Sequence, residues 1–247
     1  MTAGAVLTFA IFGLFCAART TANRRNPLKI SRRIECKGEN LSAYVTRLCW
    51  DCSLTDPNVI LLAGPNGAGK STAAPDLLHG ALHVDEFVNA DVIARGLSAF
   101  NPEGAALEAG RVMLSRLKEL GRQRKNIAFE STLASRPFAP WIRELKKDGY
   151  KFHLFYFWLP SPEMCVNRVR ERKSLGGHFL PSETIHRRYH AGIRNFFELY
   201  APIAINWHFF DNTRKPRTLI ASGGDNIDEE IFNGEVWDKL KKEYQHG

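Results

Sequence analysis

The fold of this chain is decided by one continuous stretch, Val59-Ile60-Leu61-Leu62-Ala63-Gly64-Pro65-Asn66-Gly67-Ala68-Gly69-Lys70-Ser71-Thr72. Its second part satisfies the pattern G-x-x-x-x-G-K-[ST]. The pattern follows an apolar strand and precedes a helical stretch, which is the context that confirms the motif. Its glycines let the backbone turn tightly and aim its amides inward, so that the amides and the start of the helix surround phosphate oxygens. We therefore predict a loop that binds the phosphates of a nucleotide.

The loop also assigns roles to single residues. Lys70 reaches the outer phosphates and is a predicted catalytic residue, and the hydroxyl of Ser71 is a predicted ligand of Mg²⁺. We accordingly expect ATP and Mg²⁺ as cofactors, although the motif predicts nucleotide binding and does not define the reaction. The predicted nucleotide-binding residues are Gly64, Pro65, Asn66, Gly67, Ala68, Gly69, Lys70, Ser71 and Thr72.

Short apolar runs alternate with helical patterns along the rest of the chain, which is typical of a parallel sheet flanked by helices. We predict an α/β domain of the P-loop NTPase and kinase fold over residues 51–247, with a mostly parallel sheet. In the tail we expect a short apolar piece at 218–221, a turn at 222–224 and a helix at 235–244. The predicted strands are 59–63, 83–89, 126–129, 152–159 and 205–211, and the predicted helices are 102–121, 137–148, 162–173 and 181–200.

Residues 1–50 are treated as an N-terminal extension. Residues 5–18 are apolar but too few to span a bilayer comfortably as a helix. Residues 19–34 are rich in Arg and lack acids, as in organellar transit peptides. A targeting segment and a translated extension upstream of the true start both remain open interpretations.

The cysteines indicate a reducing compartment, because the chain has five of them at irregular spacing. We therefore expect a cytoplasmic protein. Cys49 and Cys52 form a lone C-x-x-C pair, and no second pair or nearby histidine completes a zinc ligand set, so we assign it no function.

The net charge of +8 is concentrated at the front of the chain, since residues 1–34 hold six Lys and Arg and no acid. The remainder is close to neutral. Binding of nucleic acid independently of sequence requires many phosphate contacts, so the charge argues against DNA or RNA as the main partner. We also expect no membrane partner. A small anionic ligand is compatible with this distribution.

Asp91 follows the second predicted strand and is a predicted catalytic residue. The carboxyl ends of strands in an open α/β sheet are where ligands bind. A carboxylate at that edge can take the proton from an attacking hydroxyl or help to hold Mg²⁺. The structural alternative is that Asp91 caps the helical stretch 92–97.

Glu130, Ser131 and Thr132 follow the third predicted strand and reach the same edge of the sheet. They supply an acceptor and two hydroxyls that suit a polar substrate, and we predict that all three bind it. Glu130 alternatively binds the water shell of Mg²⁺. For Ser131 and Thr132 the structural alternative is helix capping.

The predicted lid spans residues 162–200, two helical stretches joined by the break at 174–177. Between residues 163 and 194 it holds seven Lys and Arg against three Glu. Arginines on a closing lid would stabilise the charge that spreads over the phosphoryl oxygens and would expel water. We expect only two or three of them to touch a ligand, because an Arg-rich helix is usually a solvated face.

Several further motifs accompany the loop: Glu108-Ala109-Gly110-Arg111, Gly176-Gly177-His178-Phe179-Leu180-Pro181, Arg187-Arg188-Tyr189 and Phe210-Asp211-Asn212-Thr213. With these motifs, residues 58 to about 222 resemble the zeta toxin family of P-loop kinases, and most closely its zeta-toxin-like bacterial branch. Better-studied zeta toxins phosphorylate the sugar of UDP-N-acetylglucosamine. The resemblance therefore implies a kinase, a nucleotide sugar as acceptor and an antitoxin protein as partner.

The resemblance also transfers roles to residues. Asp91 matches the catalytic base, Thr132 falls near a substrate-contacting threonine, and Arg168 matches a catalytic lid arginine. Two positions depart from the family pattern. His178 stands where a second lid arginine is expected, and Arg111 stands where a helix glutamate contacts substrate. We predict that both bind substrate here, and the change of charge at Arg111 indicates another acceptor or another way of holding the same one.

Three functions are consistent with the loop. The first is an ATP-dependent phosphotransferase that acts on a hydroxyl of a small molecule. The second is a P-loop ATPase without kinase activity, although no signature helix and no strand ending in paired acids supports it. The third is a kinase of nucleic-acid ends, which the near-neutral body and the lack of an aromatic platform among the lid arginines oppose.

Overall fold

A mixed sheet of seven strands organises the described residues, which are 56–82, 84–174 and 180–245 of a computed structural model. Predictions for the extension 1–50, the Cys49 and Cys52 pair, His83 and the lid segment 175–179 lie outside these ranges. The strands are β1 (Asn58–Ala63), β2 (Glu86–Val88), β3 (Ile127–Ser131), β4 (Lys151–Trp158), β5 (Asn206–Asp211), β6 (Thr218–Gly224) and β7 (Ile227–Ile231).

The strand order is β2-β3-β1-β4-β5-β6-β7. The first five are parallel, and β6 and β7 run antiparallel at one edge. In the register of β1 with β3, Leu62 pairs with Glu130 and Ala63 with Ser131. The residues that follow β1 and end β3 therefore meet at one edge, as predicted. The mostly parallel sheet confirms the predicted fold class.

The central strands are buried because helices flank the sheet. Every residue of β1 is buried, and β4 is buried from Phe152 to Trp158. Such strands read as continuous apolar runs rather than as alternating patterns, which is why the sequence identified them. Aromatic rings fill one part of the core, where Tyr156 stacks on Phe209 with 4.7 Å between ring centroids and Phe196 contacts both rings.

Seven α-helices occur in the described residues, and two of them continue into other helical turns. Residues Asp76–Ala81 extend the first helix as a π-helix, and Phe196–Tyr200 and Ala201–Ile203 extend the sixth as π and 3-10 turns. No helix in these ranges has the length and apolarity that crossing a bilayer requires. The helices are α1 (Lys70–Pro75), α2 (Ala90–Leu97), α3 (Ala106–Arg122), α4 (Phe138–Lys147), α5 (Pro162–Ser174), α6 (Ser182–Asn195) and α7 (Gly234–Tyr244).

The predicted turn at 222–224 is wrong. β6 continues to Gly224, and the acidic stretch after it forms β7. Two glycines suggested a turn, but here they allow close packing: a Cβ on Gly223 would lie 2.7 Å from the ring of Trp207, and one on Gly224 would overlap the carbonyl oxygen of Ile205. The chain reverses instead near Asn226, whose φ is 63°.

Candidate active site

The phosphate loop joins β1 to α1 in a conformation that requires glycine. Gly64, Gly67 and Gly69 have φ values of 135°, 80° and 81°, which residues with a Cβ rarely adopt. A Cβ on Gly64 would also overlap the carbonyl oxygen of Phe157 on β4. The helix begins at Lys70 after Gly69, and no side chain caps it. Its first amides are thus left for a ligand, as an anion-binding helix start requires.

Lys70 is buried, with 6% of its side chain exposed. Its ammonium donates to the carbonyl oxygens of Gly64 at 2.9 Å and Pro65 at 3.0 Å, and it lies 3.7 Å from Oε1 of Glu130. These partners offset the cost of burying the charge. The ammonium is therefore held at the mouth of the loop, where the outer phosphates of a nucleotide would meet it.

Glu130 links the loop to its neighbouring strands. Its Oε2 accepts a hydrogen bond from the Ser71 hydroxyl at 2.8 Å and another from the Asn89 amide at 3.0 Å. Only 11% of the side chain is exposed. The sequence predicted Glu130 and Ser71 separately, and the pairing of β1 with β3 brings them together.

The pair of Ser71 and Glu130 fits Mg²⁺. Both side chains offer oxygen, the ligand type that this ion prefers, and Mg²⁺ usually takes one or two protein ligands together with substrate phosphates. Within the ranges that the structure describes, no group of three or more His, Cys, Asp or Glu forms a complete metal cage. The donor set therefore matches an ion that arrives with a nucleotide.

Asp91 is the second residue of α2 and is exposed. The alternative that it caps this helix is wrong, because Asn89 is the cap: its Oδ1 accepts from the backbone amides of Asp91 at 2.8 Å and Val92 at 3.3 Å. Asn89 thus holds the start of α2 with its oxygen and Glu130 with its nitrogen. The sequence did not identify it, although Asn before a helix is a common cap.

A cavity of about 790 Å³ extends from the phosphate loop. Seven predicted site residues line it, so the fold brings together side chains from the loop, two helices and a strand. Apolar residues such as Leu107, Met113 and Phe138 form another part of the wall. The seven are Asn66, Lys70, Asp91, Arg111, Glu130, Ser131 and Thr132.

Two arginines of the predicted lid, Arg187 and Arg188 on α6, also line the cavity. Both belong to the seven cations of the predicted lid, and neither was among the predicted site residues. Burial lowers the pKa of Arg188, and the charge of Asp91 acts in the opposite direction. Arg188 and Asp91 therefore place opposite charges on the wall of the same cavity. His178, which was predicted to bind substrate, lies outside the described residues.

Ser131 and Thr132 shape a tight turn at the end of β3. Their hydroxyls accept from the amides of Leu133 at 3.1 Å and Ala134 at 3.4 Å, and Leu133 has a φ of 58°. They cap no helix, since α4 begins later, after Pro137. Asn195 on α6 donates to the Leu133 carbonyl at 2.6 Å, so a buried residue that the sequence did not single out fixes this turn.

Arg168 on α5 contacts backbone. Its guanidinium donates to the carbonyl oxygens of Asn212 at 3.0 Å and Thr213 at 2.7 Å. Its Cβ is also near the loop, 3.2 Å from where a Cβ on Gly67 would be. Arg168 thus lies beside the phosphate loop and ties α5 to the segment after β5, while its predicted catalytic role stays a prediction.

A phosphate loop between the first strand and first helix of a mostly parallel sheet defines a P-loop fold of the kinase-like class. Residues 59–194 match the family model described as an AAA domain. The match covers more than half of the 247 residues, and the chain belongs to this AAA-domain family.

Several known proteins are similar to this chain. An uncharacterized protein of Haemophilus influenzae is 28% identical over 130 residues, which cover 53% of this chain and 91% of that protein. A crystal structure of the AvrRxo1-ORF1:AvrRxo1-ORF2 complex with sulphate ions is similar, with a TM-score of 0.63 and 19% identity. The similarity covers 81% of this chain and 68% of the chain in that structure. The same complex was also solved with ATP. A structure of the PezAT chromosomal toxin-antitoxin system of Streptococcus pneumoniae is similar, with a TM-score of 0.55 and 17% identity. The similarity covers 83% of this chain and 87% of the chain in that structure. These structures share the fold.

Proposed function

We propose that this protein is an ATP-dependent kinase that transfers the γ-phosphoryl group to a hydroxyl of a small molecule. One observation carries the proposal: Lys70 of the phosphate loop and the carboxylate of Asp91 line the same cavity. A nucleotide held by the loop and an acceptor beside Asp91 would therefore share one space. That arrangement supports transfer to an acceptor rather than hydrolysis alone.

In the proposed reaction, residues of the chain bind ATP and accept the proton of the acceptor hydroxyl. Backbone amides of the loop and Lys70 hold the phosphates of ATP, and Asp91 faces the acceptor hydroxyl. The hydroxyl oxygen forms a bond to the γ-phosphorus, and the bond to the bridging oxygen breaks. ADP leaves with that electron pair, and the hydroxyl proton passes to the Asp91 carboxylate. A bound Mg²⁺, held by Ser71 and Glu130, would neutralise the phosphate charge.

The lining of the cavity supports an anionic acceptor. Four cations, Lys70, Arg111, Arg187 and Arg188, and two acids, Asp91 and Glu130, contribute to the wall. The excess of cations favours an acceptor that carries phosphate, and arginine is well suited to hold it. UDP-N-acetylglucosamine, which the family resemblance implies, is our first candidate acceptor.

An inhibitory protein partner is part of the proposal. The resemblance to zeta toxins and the shared fold with a chain of a toxin-antitoxin system support it. Co-expression of the chain with the product of an adjacent reading frame, followed by size-exclusion chromatography, tests for a stable complex. Separate elution of the two proteins would remove the partner from the proposal but not the kinase.

The deciding experiment measures transfer from γ-labelled ATP to a panel of acceptors, with the product mass determined. The panel holds UDP-N-acetylglucosamine, other nucleotide sugars, nucleosides and RNA ends. We expect ADP formation that depends on a small-molecule acceptor, and no transfer by Lys70→Ala. The matched control is Lys118→Ala, an exposed residue of α3. ADP formation without any acceptor would indicate an ATPase, and labelling of RNA alone would indicate a kinase of nucleic-acid ends.

A further inference from the structure

Asn212 follows β5 and is only 7% exposed. All its polar groups have partners. Its backbone amide donates to the carbonyl of Trp158 at 3.0 Å, and its backbone carbonyl accepts from Arg168 at 3.0 Å. Its side-chain oxygen accepts from Nε of Arg217 at 3.1 Å, and its side-chain nitrogen donates a short hydrogen bond to the carbonyl of Ala68. Asn212 is thus a buried link between the end of the sheet and the phosphate loop.

The bond to Ala68 determines the direction of a neighbouring amide. Ala68 and Gly69 share a planar trans peptide group, in which the carbonyl and the N–H point in opposite directions. Since the Ala68 carbonyl is directed at Asn212, the N–H of Gly69 is directed away from it. That amide belongs to the glycine that directly precedes α1, where phosphate-binding loops present N–H groups to their ligand.

Two neighbouring features make the orientation specific. A Cβ on Gly69 would lie 2.6 Å from the Asn212 side-chain nitrogen. Only glycine at position 69 therefore lets the side-chain amide of Asn212 approach the loop this closely. The guanidinium of Arg217 can only donate hydrogen bonds. Its bond to the side-chain oxygen of Asn212 leaves the side-chain nitrogen of Asn212 facing the Ala68 carbonyl. The guanidinium of Arg217 is itself held over the ring of Phe157, 5.3 Å from its centroid.

We propose that Asn212 is a positioning residue for the nucleotide: it fixes the peptide between Ala68 and Gly69 and so sets the affinity of the loop for phosphates. The inference rests on the proposed function only in assuming that the loop binds a nucleotide. It assigns Asn212 no contact with the reacting atoms. It predicts a change in nucleotide affinity and KM without a comparable change for the acceptor.

The test compares Asn212→Asp with Asn58→Asp in the full-length chain, using calorimetric titration with Mg·ADP. Asn58 is a matched control, because it is 8% exposed and its side-chain nitrogen also donates to a backbone carbonyl, that of Asp56, at 3.0 Å. It begins β1, at the end of the strand away from the loop. In Asn212→Asp a carboxylate oxygen replaces the donor and faces the Ala68 carbonyl.

We expect Asn212→Asp to raise the Kd for Mg·ADP and the KM for ATP by about 10- to 100-fold at neutral pH, the size of effect that an unsatisfied buried carbonyl produces. The acceptor KM should stay within about twofold. The defect should shrink as the pH falls, because a protonated carboxyl regains a donor. Asn58→Asp should leave the Kd for Mg·ADP unchanged, even where it lowers the melting temperature.

A second variant keeps the inference testable if Asn212→Asp does not fold. Arg217→Met keeps an aliphatic chain over Phe157 but frees the Asn212 amide to rotate, and it should raise the Kd by about 3- to 10-fold, the effect of one ordinary hydrogen bond. Kd values equal to wild type in the folded variants would overturn the inference and leave the kinase proposal intact. Failure of the wild-type chain to bind Mg·ADP would overturn both, whereas binding without transfer would overturn the kinase alone.

Discussion

The Ser71 hydroxyl donates to the Oε2 atom of Glu130 over 2.8 Å, which joins the phosphate loop to the end of β3. If this pair holds Mg²⁺, Glu130→Gln should raise the Mg²⁺ concentration for half-maximal turnover by roughly 10- to 100-fold, as loss of a metal-site group commonly does. Gln keeps the size and one oxygen but removes the charge. Turnover measured against Mg²⁺ concentration at saturating ATP checks this.

Glu119→Gln is the matched control for Glu130→Gln, because Glu119 lies at the surface of α3 and pairs with Arg122. It should leave the Mg²⁺ dependence unchanged. An unchanged Mg²⁺ dependence in Glu130→Gln would remove this residue from the metal site. It would leave Glu130 as a structural acceptor for Ser71 and Asn89.

Asp91→Asn should cut phosphoryl transfer by about 10²- to 10⁴-fold, the usual contribution of a positioned general base. The affinity for Mg·ATP should change little, because Asn89 rather than Asp91 caps α2 and the start of the helix is retained. Single-turnover transfer and calorimetric ATP binding separate the two quantities. Asp238→Asn on α7 is the control, and a transfer rate in Asp91→Asn equal to that of the control would exclude the proposed base.

Arg168→Ala tests whether this arginine acts on the phosphoryl group or only ties α5 to the segment after β5. Its two bonds to backbone carbonyls predict a loss of about 1.5 to 3 kcal/mol in the free energy of unfolding, as for hydrogen bonds of charged groups. The resemblance-based role predicts in addition that turnover falls more than nucleotide affinity. Denaturant titration and steady-state kinetics measure these effects.

Arg170→Ala on the same helix is the control for Arg168→Ala. Arg170 is exposed and donates to the Ser182 hydroxyl over a long distance of 3.5 Å, so both stability and turnover should stay near wild type. A destabilised Arg168→Ala with normal turnover per folded molecule would restrict Arg168 to a structural role. Normal stability in that variant would contradict the geometry of its backbone contacts.

The sequence predicted the features that depend on local pattern. The apolar run of β1 and the glycines after it are contiguous, so strand, loop and helix start could be read together, and the fold class follows from the alternation of strands and helices. Glu130 and Asp91 could be placed in one site because parallel strands end at one edge of a sheet. The structure brings both into one cavity with Lys70.

Features that depend on tertiary packing were not predictable in this way. Arg187 and Arg188 could not be separated from the other lid cations, since only the packing of α6 decides which side chains face the cavity. Gly223 and Gly224 suggested a turn because nothing local reveals that Trp207 and Ile205 lie against them. The sequence placed Asn212 in a family motif but did not predict its contact with the phosphate loop, because several of its partners lie in distant parts of the chain.

A buried histidine gives the fold a predicted sensitivity to acid. His208 on β5 lies among aromatic rings, with its centroid 5.3 Å from that of Phe155 and 6.3 Å from that of Phe210. Burial, assisted by the charge of His153, lowers the pKa of His208 from its ordinary value to about 3. Between about pH 6.5 and 3 the unfolded chain therefore binds a proton at this position that the folded chain does not.

The free energy of unfolding should consequently fall as the pH drops below about 6.5, by at most about 1.4 kcal/mol per pH unit from this group. His208→Phe removes the titrating ring and keeps an aromatic side chain between Phe155 and Phe210. Urea titrations at pH 7.5, 6.0 and 5.0 should show a shallower loss of stability in His208→Phe than in wild type. His186→Gln, which removes a partly exposed histidine of α6, is the control, and parallel profiles for wild type and His208→Phe would show that burial of His208 does not govern the response to acid.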